Sequence, residues 1–125
     1  MDIHAIDAAW DYADPVGSEG RFRALLAAEP DPPTGEPRAE ILTQLGRALA
    51  LQRRFADADA ALDDADRLLA DRPGRARIRS LLERGRIRRD LSETGEALDL
   101  FGRALALADA AGEEFLALDA LHMIG

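Results

Sequence analysis

The sequence predicts an all-α fold of antiparallel helical hairpins stacked one on the next, and three observations carry that prediction. Gly46, Gly85 and Gly125 follow one another at nearly equal spacing, a period of about 40 residues, each after an apolar helical stretch. Around the first two the likeness runs in register: Leu42, Gly46, Phe55, Ala58, Leu62 and Ala65 are answered by Leu81, Gly85, Thr94, Ala97, Phe101 and Ala104. Proline, glycine and capping residues then divide the chain into seven helical stretches.

Asp2 is expected to cap a first helix in which Ile3, Ile6, Trp10 and Ala13 share a face, with Asp14-Pro15 as its stop, because the residue before a proline avoids helical backbone. Ser18 is expected to cap a second, which carries Phe22, Leu25 and Leu26 and ends at Glu29-Pro30. Residues 30–37 hold four prolines and a glycine, so they read as a stiff extended connector. A third helix, about residues 38–52, sets Leu42, Leu45 and Leu49 on one side; a fourth, about 56–71, turns Ala58, Leu62, Ala65 and Leu69 inward and stops at Arg72-Pro73-Gly74. The fifth and sixth, about 75–91 and 94–111, repeat that pair, with Gly112 as C-terminal cap. The seventh begins near Glu113 and is still apolar at Ile124.

Glycine inside a helix costs about 1 kcal/mol relative to alanine, so Gly46 and Gly85 need a physical reason to be there. The pattern of Gly46 with Ala58, and of Gly85 with Ala97, resembles the tetratricopeptide repeat family, a helix-turn-helix unit of about 34 residues. Here the longer spacing resembles a bacterial type with repeats of about 40 residues. In that family a small residue lets the first helix of a unit lie close against the second. The resemblance implies a short superhelix (α-solenoid) in which residues 38–77 and 78–117 are repeats and 118–125 begin an incomplete third or form a capping helix. Residues 1–37 lack the glycine and alanine markers and are expected as a degenerate repeat or cap with its Pro-rich connector.

The resemblance also implies a function: a non-catalytic module, without cofactor, that binds a peptide or protein segment in a concave groove lined by the first helices. Carried over by position, that groove shows Glu40, Thr43, Gln44 and Arg47, then Arg79, Leu82, Glu83, Arg86, Arg89 and Asp90, then Asp119, His122 and Met123. Arg79, Arg86 and Arg89 fall within about 80 degrees of one another around the fifth helix. Such a stripe suits an acidic or carboxylate-bearing partner, because a guanidinium pairs bidentately with carboxylate. The asparagine and lysine pattern by which some family members clamp a terminal carboxylate is absent. Arg84 and Arg88 depart from the family's apolar positions. Either they reach solvent along the hairpin edge, or they pair with acids such as Asp63, Asp66, Asp99 or Asp119.

Composition narrows the classes. At 125 residues the chain is one domain's worth, and its net charge of -8 argues against attraction to nucleic acid or an anionic membrane. Without cysteine it has neither disulfide nor thiolate metal site. Residues 1–10 carry two acids and no Arg or Lys, and no apolar run approaches the roughly 20 residues of a membrane span. A cytoplasmic protein with no membrane partner is expected.

Candidates for chemistry are few. His4 and His122 stand at opposite ends without ligand-spaced neighbours. Asp57, Asp59, Asp63, Asp64 and Asp66 lack the loop of a calcium site, and Ser18, Ser80 and Ser92 lack a nucleophile elbow or phosphate loop. No enzyme is expected. Two other classes stay open. One is a ligand-sensing or regulatory helical-repeat domain of a larger bacterial signalling or transcription-regulatory protein, by analogy of fold. The other, less favoured, is nucleic-acid binding through the eight arginines of residues 72–89, whose charge is split over two faces. The apolar seventh helix, with Phe115, Leu118, Leu121 and Ile124, is expected to pair two copies into a homodimer, and the chain reads as the N-terminal part of a longer repeat protein.

Overall fold

The computed structural model describes residues 3–28 and 35–125, the side chains of residues 3 and 4 excepted. Those residues form seven α-helices and no strand: α1 (Ile3–Ala9), α2 (Pro15–Ala28), α3 (Glu36–Leu51), α4 (Phe55–Leu69), α5 (Arg75–Asp90), α6 (Thr94–Ala111) and α7 (Glu114–Ile124). Among the described residues no helix is long and apolar enough to cross a membrane. The expected cap Asp2, the stop at Glu29-Pro30 and the prolines through Pro33 lie outside the described residues.

Asp14-Pro15, expected as a stop, is instead the start of α2. Proline suits a first helical position because it has no N–H to leave unpaired. The Asp14 carboxylate accepts from the Gly17 N–H at 3.0 Å, so Asp14 takes the capping role expected of Ser18. Ser18 lies inside α2, its hydroxyl accepting the Asp11 N–H and donating to the Asp11 carbonyl, each at 2.9 Å. Consequently α1 ends at Ala9, and Trp10 and Ala13 fall in the link. Pro37, expected in the connector, likewise sits in the first turn of α3.

Two hairpins, α3–α4 and α5–α6, are closed by the same short turn. At residues 52–54 Arg53 takes φ 60° and the Arg54 N–H donates to the Leu49 carbonyl at 3.0 Å. At residues 91–93, one repeat interval further on, Ser92 takes φ 64° and the Glu93 N–H donates to the Arg88 carbonyl at 2.8 Å. Left-handed backbone is uncommon away from glycine, and it recurs here at the interval that separates Gly46 from Gly85. The helix starts recur too: Gly35 (φ 96°) and Gly74 (φ 136°), separated by the same interval, stand directly before α3 and α5. Gly112 caps α6 in left-handed conformation as expected, with the Glu113 N–H donating to the Ala108 carbonyl at 2.9 Å.

Within each hairpin the glycine sets the closest approach. A Cβ on Gly46 would lie 3.2 Å from the Leu62 side chain and 3.4 Å from the Ala58 carbonyl; a Cβ on Gly85 would lie 2.5 Å from the Phe101 ring. Phe101, not Ala97, therefore fills the space over Gly85, and it is fully enclosed. One core joins α1 to α4 through Ile6, Phe22, Ile41, Leu49, Leu62 and Leu69. A second joins α5 to α7 through Ile78, Leu82, Phe101 and Leu116. On α7, Leu116 and Ala120 are buried, whereas Phe115, Leu118, Leu121 and Ile124 are exposed.

Between the hairpins α5 packs on both α3 and α4. Ala76 and Ile87 of α5 join the first core, but the α4 side of this seam is ionic. Asp66 accepts from Arg77 Nη1 at 2.9 Å, from the Ser80 hydroxyl at 2.8 Å and from Arg84 Nη2 at 2.8 Å. Arg84 also bonds Asp63 at 2.8 Å, and Arg88 joins Asp59 at 3.1 Å to Glu93 at 3.0 Å. Of the two readings left open for Arg84 and Arg88, the structure favours carboxylate pairing, although about a quarter of each side chain stays exposed. Asp99 and Asp119 are not their partners. Burial pushes the Arg84 pKa down, but Asp63 and Asp66 outweigh it and the net shift is upward, so the group stays charged.

The two glycines should respond differently to a methyl group. Gly85→Ala drives a Cβ into an immobile ring and should destabilise the fold by about 1 to 3 kcal/mol. At Gly46 the neighbour is a flexible leucine, and the gain of about 1 kcal/mol in helix propensity offsets the crowding. Gly46→Ala is expected near wild type in thermal melts, with Gly85→Ala clearly lower; equal losses would refute the packing assignment.

Candidate functional site

The inner faces of α3 and α5 form the floor of a cleft. Arg47 from α3 and Arg79 and Arg86 from α5 lie at its base; Asp7, Trp10 and Tyr12 make one wall, and Phe115, Leu116, Leu118, Asp119 and His122 of α7 make the other. Its volume is about 510 Å³. A second lobe of about 420 Å³, lined by Asp7, Trp10, Tyr12, Arg75, Arg79 and Phe115, shares all of those residues but Arg75 with it.

The aromatic wall is positioned by the link after α1. Arg21 Nε donates to the Ala9 carbonyl at 2.7 Å, and the Ser18 hydroxyl holds Asp11 from below. Trp10 then packs edge-on against Phe22 and stacks on Tyr12 at 4.3 Å between centroids. Its indole N–H donates to Gln44 Oε1 at 2.9 Å. The Arg47 guanidinium lies 4.8 Å from the Tyr12 ring centre and 5.6 Å from that of Trp10, within the range of cation–π attraction.

Under the surface runs a network of opposite charges. Glu40 Oε2 accepts from Arg75 Nε at 2.9 Å and lies 2.9 Å from Arg79 Nε. That second approach is an ion pair without a hydrogen bond: the Arg79 Nε–H is misaligned and enclosed without an acceptor. Arg86 donates to Glu83 at 2.7 Å and to both oxygens of Asp119 at 2.8 and 2.6 Å, while Arg47 lies 3.9 Å from Glu83. Burial pushes the Arg86 pKa down; Glu83 and Asp119 outweigh it, and the net shift is upward. Glu40, Arg79 and Asp119 follow one another at the same spacing as Gly46, Gly85 and Gly125; Glu40 meets Arg79, and Asp119 meets Arg86.

The residues expected on the groove are placed as follows. Arg47, Arg79, Arg86, Asp119 and His122 line the cleft. Thr43, Gln44, Leu82 and Glu83 are buried beneath it, and Glu40 nearly so, so they act by holding the lining residues: Gln44 holds Trp10, and Glu83 holds Arg86. Arg89 and Asp90 are outside it. Arg89 Nη2 approaches Asp90 at 3.5 Å and Arg89 Nη1 donates to the Met123 sulfur at 3.6 Å, so the three-arginine stripe contributes two members. Asp7, Trp10, Tyr12, Phe115 and Leu118 were not expected here. The available signal was a pair of large aromatics, Trp10 and Tyr12, directly after a short helix. Comparison with protein-family models, with curated proteins and with solved structures gives no match.

Two arginines of the expected stripe, Arg86 and Arg89, should separate cleanly. Arg86→Met leaves the buried Glu83 carboxylate with only Arg47 at 3.9 Å and should cost about 3 kcal/mol or more. Arg89 is half exposed, and Arg89→Met should stay within about 0.5 kcal/mol of the parent. Urea unfolding midpoints check both; similar midpoints would show that Arg86 does not hold the seam.

Proposed function

We propose that the chain is a non-catalytic interaction module, a short tetratricopeptide-like superhelix (α-solenoid) whose inner cleft takes a segment of another polypeptide. The cleft itself carries this reading. Its floor comes from the first helices of both hairpins, and its walls come from the two ends of the chain, so it runs across successive units as the inner face of a repeat array does. Its lining of Trp, Tyr, Phe and Arg belongs to the residue types that dominate binding energy at protein interfaces. The repeat architecture is supported by the turns at Arg53 and Ser92 and the helix starts at Gly35 and Gly74, each pair separated by the interval between Gly46 and Gly85.

A second reading, a small-ligand sensor within a larger regulatory protein, is favoured by one observation: the lobes fall within the roughly 300 to 1,000 Å³ of small-molecule sites. Nucleic-acid binding draws less support, because Arg75, Arg77, Arg84, Arg86 and Arg88 are already paired with carboxylates of this chain. A cytoplasmic site of action fits the same reading. The exposed row on α7, with Phe115 and Leu118 also on the cleft wall, suits a second copy of the chain as one partner. Light scattering over a concentration series tests that pairing, and a mass fixed at the monomer value would exclude it.

Peptides selected from a displayed random library against the full chain test the main reading. Tyr12→Ala and Phe115→Ala remove exposed rings and should leave the chain folded, with Tyr12→Ala losing at most about 1.5 kcal/mol through its stacking on Trp10, while weakening selected peptides by about tenfold, or about 1.4 kcal/mol, each. Peptides that bind both variants as well as the parent would place recognition elsewhere.

A further inference from the structure

The guanidinium groups of the floor are unequally occupied. Arg86 is held by three hydrogen bonds to Glu83 and Asp119, and Arg75 by one each to Glu40 and Glu113. Arg47 and Arg79 donate none to any described residue. Arg47 lies 3.9 Å from Glu83 and otherwise meets the Trp10 and Tyr12 rings. Arg79 is only 9% exposed and lines both lobes; its enclosed Nε faces Glu40 Oε2 at 2.9 Å without a hydrogen bond, so its terminal nitrogens are the donors a cleft ligand can meet. Unused donors on a buried cation are costly, and a ligand acceptor is one way to complete them.

We infer that Arg79, together with Arg47, is the specificity-determining pair of the cleft and takes the carboxylate of an acidic side chain in the bound segment, with an adjacent aromatic side chain seated between Tyr12 and Phe115. This rests on the segment-binding reading and names its ligand chemistry. The charge balance limits the ligand to a single negative charge. Arg47, Arg75, Arg79 and Arg86 stand among Asp7, Glu40, Glu83, Glu113 and Asp119, one acid more than base, so the site is net negative. Attraction comes from short-range directed N–H donors, which suffice for one negative charge. A doubly charged phosphate would meet the same carboxylates at twice the repulsion. Tyr12 and Phe115, 56% and 72% exposed, are apolar surface with area still to bury.

The chain has a single tryptophan, Trp10 in the cleft wall, so its fluorescence reports occupancy. The full chain is titrated with acetyl-Ala-Glu-Phe-Ala-amide, with the same peptide carrying Gln for Glu, with one carrying Ala for Phe, and with one carrying phosphotyrosine for Phe and Gln for Glu. The Glu-Phe peptide should bind about tenfold tighter than each of the others. Arg79→Gln should abolish the preference for Glu over Gln, whereas Arg103→Gln on the exposed side of α6 should keep it. Circular dichroism monitors folding, and should Arg79→Gln unfold, Arg47→Gln provides the same readout. Equal affinity for the Glu and Gln peptides, tighter binding of the phosphotyrosine peptide, a preference that survives Arg79→Gln, or no saturable signal with any peptide overturns the inference. Library-selected peptides that bind through Tyr12 and Phe115 without an acidic residue would overturn it while leaving the segment-binding reading intact.

Discussion

The carboxylates that meet α5 are the constraint on which the rest of the structure depends. That helix carries seven arginines in sixteen residues, yet ten of its residues are buried, Arg79, Glu83 and Arg86 among them. Buried guanidinium groups are tolerated only where acids complete them. Here they come from every side: Glu40 on α3, Asp59, Asp63 and Asp66 on α4, Glu113 before α7 and Asp119 on it. Glu36 even caps the helix start, accepting the Ala76 N–H at 3.0 Å. Apolar packing holds each hairpin together, but the placement of one hairpin on the other is written mainly in charge.

The same pairs shape the cleft. Arg86 Nη2 joins the floor to α7 through both oxygens of Asp119, a tie added to the packing of Leu116 and Ala120 that places this wall. On the opposite side Trp10 reaches Gln44 from a link that Ser18 and Arg21 hold in place. Arginines held in this way have fixed geometry and few free donors. Arg47, 3.9 Å from Glu83, and Arg79, with its Nε against Glu40 at 2.9 Å, make no such bonds.

Much of the architecture was legible in the sequence because glycine has no side chain to disguise it. Gly46 and Gly85 announced two close approaches, and the apolar positions around them placed α3 to α6 within a few residues. Turn chemistry was harder to read: Arg53 and Ser92 adopt left-handed backbone with no glycine to signal it. Asp14-Pro15 was ambiguous for a definite reason. Aspartate before proline disfavours continuing a helix and also favours starting one; the Asp14 carboxylate, which accepts the Gly17 N–H at 3.0 Å, marks the start. The site was partly readable, since periodicity put Arg47, Arg79 and Arg86 on inner faces. Depth was not. Whether Thr43, Gln44, Leu82 and Glu83 line a surface or support one depends on Trp10 and α7, which close over them from distant parts of the chain.

The run of acid, base, acid at Glu40, Arg79 and Asp119 has a bearing on how such a chain can change over generations. If successive units met through apolar faces alone, one copy could be duplicated, deleted or exchanged with its neighbour at little cost. With Glu40 against Arg79 and Asp119 against Arg86, a change of sign on one side alone would set like charges together. The α3–α4 hairpin, the α5–α6 hairpin and α7 therefore change together or lose their pairing.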